Sequence, residues 1–561
     1  MRKLIECVPN FSEGRNPELI REITGAIESV DGVKLLNVDP GHATNRTVVT
    51  FVGEPELVVE AAFRGMKKAS ELIDMTGHSG EHPRMGATDV CPFIPVANIS
   101  LEETAEWSIK LAEKVGSELN IPVYLYEEAQ SNKQRSNLSV IRSGEYEGFD
   151  EKIKLPEWKP DFGPTEFNKK SGATVIGTRD FLIAYNVNLN TTSVKRANSV
   201  AFDIREAGRL KREGNPVSGP LAKDENGEPI RIPGKLKGVK AIGWYIEEYG
   251  IAQVSINITR FRDTPLHMVF DESVNSSNQR GIRVTGSELV GLVPLSAMLD
   301  AGRFFLEKQQ LSSGVSDDML VHIAVKSMGL DELGPFDPKK RIIEYCMEDD
   351  SRVNLTGMTL SKFADETASD SPAPGGGSIA AYTGALGVSL GTMVANLSAS
   401  KRGWEDRWEE FSAWAQKGQA YKSKLLSLVN EDTEAFNKIM EAFQLPKNND
   451  QEKALRSEAI QSATKYAIEV PLHVMRTTIQ SMDVIMGMAK SGNPNSASDA
   501  GVGALCAVTA ISGAFLNVKI NASSYNDKKY IEQVMKEGAQ IEEMANSLKD
   551  EILKLVEKNI S

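Results

Sequence analysis

Gly77–Phe93, GHSGEHPRMGATDVCPF, sets two histidines, a glutamate and an arginine among glycines, between a helix-like segment and an apolar, strand-like run. Glycine lets a backbone approach a ligand closely. Loops at the end of a rigid scaffold are where binding and catalytic side chains collect. An unperturbed histidine titrates at about 6.5, so His78 and His82 are suited to taking and giving protons near neutrality. The alternative is a polar turn whose histidines cap a helix. A metal reading fails on the backbone. His78 and His82 have the i, i+4 spacing of helical ligands, but glycines interrupt HSGEH and a proline follows, so the helix that spacing requires is not expected.

Other polar residues fall at neighbouring strand–loop junctions. Asn10 and Glu13 follow the first strand, and Asp39, His42, Asn45 and Arg46 lie between the next two. Glu81, Arg84 and Asp89 accompany the histidines. If these loops share one sheet edge they form a cleft with a proton-transfer group and an arginine, Arg84, shaped for bidentate carboxylate recognition. Asn10 and Asn45 taken singly fit structural turn roles.

A second centre lies far along the chain. On a helix expected over 404–443, Trp414, Tyr421, Leu425, Leu428, Phe436, Ile439 and Phe443 form a stripe, and at 100° per residue Asp432 falls in its middle. Glu431 sits at the edge of the stripe and Glu434 opposite. Burial raises a carboxyl pKa, which suits a general acid/base; a structural ion pair with another helix is the competing role. Upstream, SPAPGGGS at 371–378 opens an uncharged helix. Its glycines and free N–H groups suit an anion, or else form a linker with an N-cap serine. Lys195–Arg196 and Arg205–Arg212 read as solvated helix faces that could also meet an anionic ligand.

The elements that position these residues alternate in the first half. Strands are expected at 3–9, 33–39, 47–53, 89–96 and 121–126, with helices at 17–29, 56–73 and 101–119. A Pro- and Gly-rich boundary loop spans 158–174. A second α/β unit follows: a strand over 174–189, a helix at 195–208, strands near 238–246, 251–260 and 283–290, and helices near 266–277 and 295–308. The breaker-rich stretch 212–236 reads as an exposed insertion. Beyond about 357 helical patterns dominate. The expected fold is multidomain: two successive α/β sandwich subdomains with mixed sheets at 1–178 and 179–330, a linker at 331–357, and an all-α helical-bundle domain at 358–561.

Composition narrows the function classes. With 561 residues, 41% hydrophobic and 25% charged, the chain can bury several cores. A net charge of −13 argues against nucleic acid, though a local basic groove stays open. The four cysteines form no CxxC, which fits a reducing compartment. The start MRKLIECVPNFSEG lacks the apolar run of a signal peptide, so the expected location is cytoplasmic. Ser378–Ser400 is uncharged and long enough to cross a bilayer, but its Gly, Ala, Ser and Thr content suits a buried bundle helix, and no membrane span is expected.

IECVPNFSEGRN, ATNRTVVTFVGEPE, ELIDMTGHSGEHPRMGATDVCPFIPV, KAIGWYIEE, AQVSINI, GSELVGLVPL and PFDPKKRIIEY, taken together, resemble the formiminotransferase half of the formimidoyltransferase-cyclodeaminase family. SPAPGGGSIAAYTGALG, AFQLPKN and EVPL resemble its cyclodeaminase half. The resemblance runs in order over nearly the whole chain. It implies transfer of a formimino group from N-formimino-L-glutamate to N5 of tetrahydrofolate, then closure to 5,10-methenyltetrahydrofolate with loss of ammonia. The family's catalytic histidine falls on His82 and its cyclodeaminase aspartate on Asp432. Its folate-binding segment falls on Gly163, Pro164, Thr165, Glu166, Phe167, Asn168, Lys169, Lys170, Ser171 and Gly172. The ends of that segment fit the family pattern and its middle differs. The implied cosubstrate is tetrahydrofolate, in polyglutamate form, with no metal and no redox cofactor; a homo-oligomer is also implied. Two rival readings remain: a methenyltetrahydrofolate cyclohydrolase-like helical domain, and a non-catalytic folate-binding scaffold.

Overall fold

The computed structural model describes residues 3–42, 44–80, 83–214, 219–347 and 354–560. The chain forms two compact units, Met1–Asp300 with Val325–Glu348, and Ala301–Ala324 with Asp349–Ser561.

The first unit opens with a seven-stranded sheet. Its strands are β1 (Leu4–Cys7), β2 (Asn10–Phe11), β3 (Lys34–Gly41), β4 (Arg46–Gly53), β5 (Thr88–Ala97), β6 (Val123–Glu127) and β7 (Thr174–Thr178). The single strand expected at 3–9 is two strands, β1 and β2. Both lie between β4 and β5, with Pro9, which has no N–H to give, between them. The β5–β7 and β6–β7 pairs are parallel and the others antiparallel, so the sheet is mixed. Helices α1 (Pro17–Glu28), α2 (Pro55–Leu72) and α3 (Leu101–Glu118) bury Ile23, Ile27, Met66 and Leu111 against Ile5, Phe51 and Phe93 on one face. Two one-turn helices, α4 (Leu138–Ile141) and α5 (Phe149–Lys152), bring Ile141 and Phe149 against Val90, Tyr124 and Val175 on the other.

The run 174–189 is not one strand. It leaves the first sheet at Thr178 and enters a second as β8 (Ile183–Leu189). The breaker-rich insertion is closed by a two-stranded ribbon, β9 (Arg209–Leu210) just before it and β10 (Arg231–Ile232) within it. The second sheet runs β11 (Val239–Ile246), β12 (Ile251–Ile258), β8 and β13 (Val284–Val290), antiparallel throughout. Helices α6 (Val194–Ile204) and α7 (Leu266–Asn278) follow the expected positions within a few residues.

Helices α8 (Leu295–Lys308) and α9 (Asp317–Met328) and the short turns α10 (Pro338–Arg341) and α11 (Ile343–Cys346) follow. Residues 312–314 pack into the helical unit. Asn396 donates to the Gly314 carbonyl at 2.9 Å, Gln419 to the same oxygen at 3.1 Å, and Ser412 Oγ accepts from the Ser313 N–H at 3.1 Å.

The helical unit comprises α12 (Leu360–Thr367), α13 (Gly376–Ala399), α14 (Trp408–Gln444), α15 (Asp450–Ser491), α16 (Ala497–Ala522) and α17 (Lys528–Ile560). Both α13 and the Pro494–Ala522 segment are long and apolar enough to cross a membrane, yet half or more of each is buried inside the bundle. Small residues explain both properties: at Gly387 an added Cβ would stand 2.8 Å from the Gly503 carbonyl oxygen, so α13 and α16 approach backbone to backbone. The stripe expected on α14 is covered only in part. Leu425 and Leu428 are core, whereas Phe436 and Phe443 are exposed.

Two candidate active sites

The β2–α1 loop, the β3–β4 turn and the α2–β5 loop meet at one sheet edge. Asn45, at φ 48°, ties them together. Its Oδ1 accepts from the Gly14 N–H at 3.1 Å, and its Nδ2 donates to the Ser79 carbonyl at 3.0 Å. Its own carbonyl lies 3.0 Å from His78 Nε2. Ser12 Oγ adds a bond to the Gly86 carbonyl at 2.8 Å. Asn45, read singly as a turn residue, is thus the bracket that shapes the histidine loop.

Glu81 and His82 lie outside the described residues; their flanks are defined. Arg84 Nε donates to His78 Nδ1 at 3.2 Å. Nδ1 is therefore the accepting nitrogen, and Nε2 carries the hydrogen given to Asn45. Burial, with the Arg84 charge adding to it, pushes the His78 pKa down, so this ring is held neutral. Both its nitrogens are committed to the scaffold. Of the two histidines in the motif, His78 is the one that positions.

Arg84 is 8% exposed and its fork is occupied. It bonds both oxygens of Glu147, at 2.8 and 2.5 Å, and Glu145 at 3.1 Å. Glu147 is 62% exposed, so a carboxylate of the chain's own, open to solvent, holds the position in which a substrate carboxylate was expected. Neither glutamate was picked out from sequence; they lie 61 and 63 residues from Arg84, in a GEYEG loop. Asp89 is not an open base. Its side chain is 0% exposed, gripped through both oxygens by Arg142, and it accepts from the Met85 N–H at 3.1 Å. Arg46 stands close enough to feel both charges. Lys195 and Arg196 are exposed on α6.

The segment Gly163–Gly172 runs from the end of α3 to the histidine loop. Asn168 Nδ2 bonds the Asn120 carbonyl at 3.2 Å, and Phe167 packs its ring between those of Tyr146 and Phe149. The Lys170 carbonyl accepts from the Met75 N–H at 2.9 Å, and Ser171 from the Ala87 N–H at 2.8 Å. Gly172 has φ +68° and bridges Gly86; a Cβ there would meet the Met85 carbonyl at 2.2 Å. The structure therefore laces this segment to both ends of the loop that contains His82. Thr165, Glu166, Lys169 and Lys170 are exposed, Pro164 is half-buried and Ser171 is buried.

In the helical unit, Asp432 meets the N-terminus of α13. Ser378 Oγ lies 3.0 Å from Asp432 Oδ2, and the Ser378 N–H also reaches the carboxylate. Burial raises the Asp432 pKa and the two Ser378 contacts work against it. Helix N-termini favour anions, so the ionised form is also tolerated. The carboxylate can thus exist in both states, as an acid/base needs. Among the described residues no lysine or arginine pairs with Asp432, which leaves the structural ion-pair role without a partner there. One residue earlier, Glu431 accepts from the Tyr466 hydroxyl at 2.9 Å. Beyond Tyr466 a cleft of about 540 Å³ is lined by Lys438, Ala442, Leu445 and Ala463. A smaller one of about 280 Å³ is lined by Lys447, Lys453 and Arg456.

An α/β unit with a histidine loop laced to a glycine-bounded segment, and a helical unit with a carboxylate poised at a helix N-terminus, define a two-site enzyme of group and proton transfer. Residues 4–179 match the family model for the formiminotransferase domain, N-terminal subdomain; residues 184–348 match that for the formiminotransferase domain; residues 359–540 match that for formiminotransferase-cyclodeaminase. The formimidoyltransferase-cyclodeaminase of Mus musculus is 43% identical over 534 residues, which are 95% of each chain. The glutamate formimidoyltransferase of Thermoplasma acidophilum is 42% identical over 315 residues, 55% of this chain and 95% of that one. A methenyltetrahydrofolate cyclohydrolase of Methylorubrum extorquens is 36% identical over 203 residues, 36% of this chain and 98% of that one. The chain belongs to the formimidoyltransferase-cyclodeaminase family.

Proposed function

We propose that the chain moves the formimino group of N-formimino-L-glutamate to N5 of tetrahydrofolate and then closes the 5-formimino product to 5,10-methenyltetrahydrofolate, releasing ammonia. The observation that carries the reading is the pairing of its two chemistries on two units of one family-matched chain. In the first step N5 attacks the amidine carbon. His82 takes the proton lost from N5 and returns one to the departing glutamate nitrogen. His78 and Asn45 hold the loop in place, and Gly163–Gly172 forms the folate-side wall. Arg84 receives a glutamate carboxylate when Glu147 yields. In the second step N10 attacks the formimino carbon. The formimino group enters as its protonated amidinium, and Asp432 takes the N10 proton and delivers it to the departing nitrogen, which leaves as ammonia.

The tail of a polyglutamated folate fits the basic cleft. The Phe443 carbonyl, bonded by Arg456, stands eleven residues along α14 from Asp432, about 16 Å at roughly 1.5 Å per residue. Lys447, Lys453 and Arg456 would meet the tail carboxylates there. A homo-oligomer is supported by exposed Leu386, Met393 and Leu397 on α13 with Val502 and Leu505 on the part of α16 that packs against it, apolar side chains that a second copy would cover. Four cysteines without a CxxC support a reducing, cytoplasmic setting for the reaction.

The relative from Methylorubrum keeps one rival open for the helical unit, hydrolysis of the methenyl compound. The test is a single-pot assay following methenyl absorbance and ammonia for wild type, His82→Ala and Asp432→Ala. Neither product should form with the His82 variant, and 5-formiminotetrahydrofolate should accumulate with the Asp432 variant. Formimino transfer without ammonia release by the folded wild type would reassign the helical unit.

A further inference from the structure

Ser378 is fully buried, and its single hydroxyl hydrogen faces two acceptors: the Val429 carbonyl at 3.0 Å and Asp432 Oδ2 at 3.0 Å. A hydroxyl has one hydrogen to donate and two lone pairs to accept with. It therefore cannot donate to both oxygens at once. The Val429 carbonyl, inside α14, can only accept. Asp432 Oδ2 accepts when ionised and donates when protonated. Two arrangements satisfy every group. With Asp432 protonated, its O–H donates to Ser378 Oγ, and Ser378 donates to Val429. With Asp432 ionised, Ser378 turns its hydrogen to Oδ2, and Val429 keeps the helical bond that an interior carbonyl has in any case.

We propose that Ser378 is the positioning residue that balances the two protonation states of Asp432: its hydroxyl rotates from the Val429 carbonyl to the carboxylate as Asp432 ionises, so neither form is left with a buried unmatched group. This rests on Asp432 being the acid/base of ring closure. An acid/base that must both take and give a proton in one turnover works best when neither state is strongly favoured. A buried carboxylate without such a partner is pushed one way, towards the neutral form.

The surroundings leave this role to Ser378. The first turn of α13 brings no charged side chain to Asp432. From α15 comes Tyr466, already donating to Glu431 and lying under Lys438. From α16 comes Asn517, beside Gly376. On α14 itself Glu434 is exposed and Asn430 is turned to Asn354 and the Leu355 N–H.

The experiment is the pH–rate profile of ammonia release from supplied 5-formiminotetrahydrofolate, using the full chain. Wild type, Ser378→Ala, Ser378→Thr and Asp432→Asn are compared, with a thermal melt of each as the folding control. Ser378→Ala should lower kcat by roughly ten- to a hundredfold with little change in KM. It should also move the acid limb to higher pH, because the ionised form has lost a donor. Ser378→Thr, which restores a hydroxyl, should move the limb back. A Ser378→Ala profile that overlays wild type, or falls in height with its limb unmoved, overturns the proposal. The underlying assignment fails separately, if Asp432→Asn keeps wild-type ammonia release.

Discussion

Gly377→Ala tests how tightly the helical site is built. An ideal Cβ at Gly377 would lie 2.1 Å from Asp432 Oδ1, 2.6 Å from Cγ and 2.7 Å from Oδ2. All three atoms of the carboxylate are inside contact distance, so rotation about its own axis clears nothing. The whole group has to withdraw by about 1.3 Å to reach an ordinary contact of roughly 3.4 Å. Withdrawal also loosens the 3.0 Å bond to Ser378. Misplacing a catalytic group by about 1 Å costs on the order of a hundredfold in rate, or about 2.7 kcal/mol of barrier. Folding should suffer far less. Gly377 is already helical, and alanine is favoured over glycine in a helix by up to about 1 kcal/mol, offsetting the displaced contact. The expected result is kcat for ammonia release down about a hundredfold, Tm within a few degrees of wild type, and unchanged formimino transfer. The assay is stopped-time ammonia release from supplied 5-formiminotetrahydrofolate beside a thermal melt. A variant with wild-type Tm and kcat within about threefold of wild type would show that the carboxylate does not work from this position.

Four further outcomes follow from the first unit. Burial pushes Glu6 on β1 up to about 7, opposed by Arg179. The folded state then keeps a proton that the unfolded chain releases between its ordinary value near 4.5 and about 7. Stability therefore falls as pH rises through that window, and Glu6→Gln should recover up to about 3 kcal/mol at pH 8 and nothing at pH 4; equal effects at both pH values in urea titrations would contradict this. Arg142→Met removes the two-pronged partner of buried Asp89 and should cost about 3 kcal/mol or more, read as a lower midpoint in the same titration. His78→Phe deletes both ring hydrogen bonds and should cut formimino transfer at least about tenfold while leaving ammonia release intact; equal loss of both activities would point to global misfolding instead. Glu147→Gln removes the charge that closes the fork of Arg84 from the solvent side, with Glu145 still bonding one nitrogen, so KM for N-formimino-L-glutamate should fall a few-fold. An unchanged KM would mean that Arg84 does not hold the substrate.

The sequence by itself determined the two chemistries and most of the scaffold. Helix period alone singled out Asp432, because a carboxylate centred on an apolar stripe stands out wherever the stripe packs. Glycine-bounded loops and alternating apolar runs placed three helices and most strands of the first sheet within a few residues, since those patterns are local. Tertiary structure decided what local pattern cannot carry. The run 174–189 alternates smoothly enough for one strand, and only the partners available to each half, β5 and β6 or β12 and β13, divide it between two sheets. Phe436 and Phe443 fit the α14 stripe, yet both stay exposed. Arg84 is committed to glutamates more than 60 residues away, and Asp89 to an arginine 53 residues away. Ser378 and Asp432 are 54 residues apart and share one proton-sized choice. Periodicity reports which face a residue occupies. Which side chain waits opposite depends on how separate elements meet, and that choice fixes the partners, the hydrogen-bond states and the pKa shifts on which the chemistry rests.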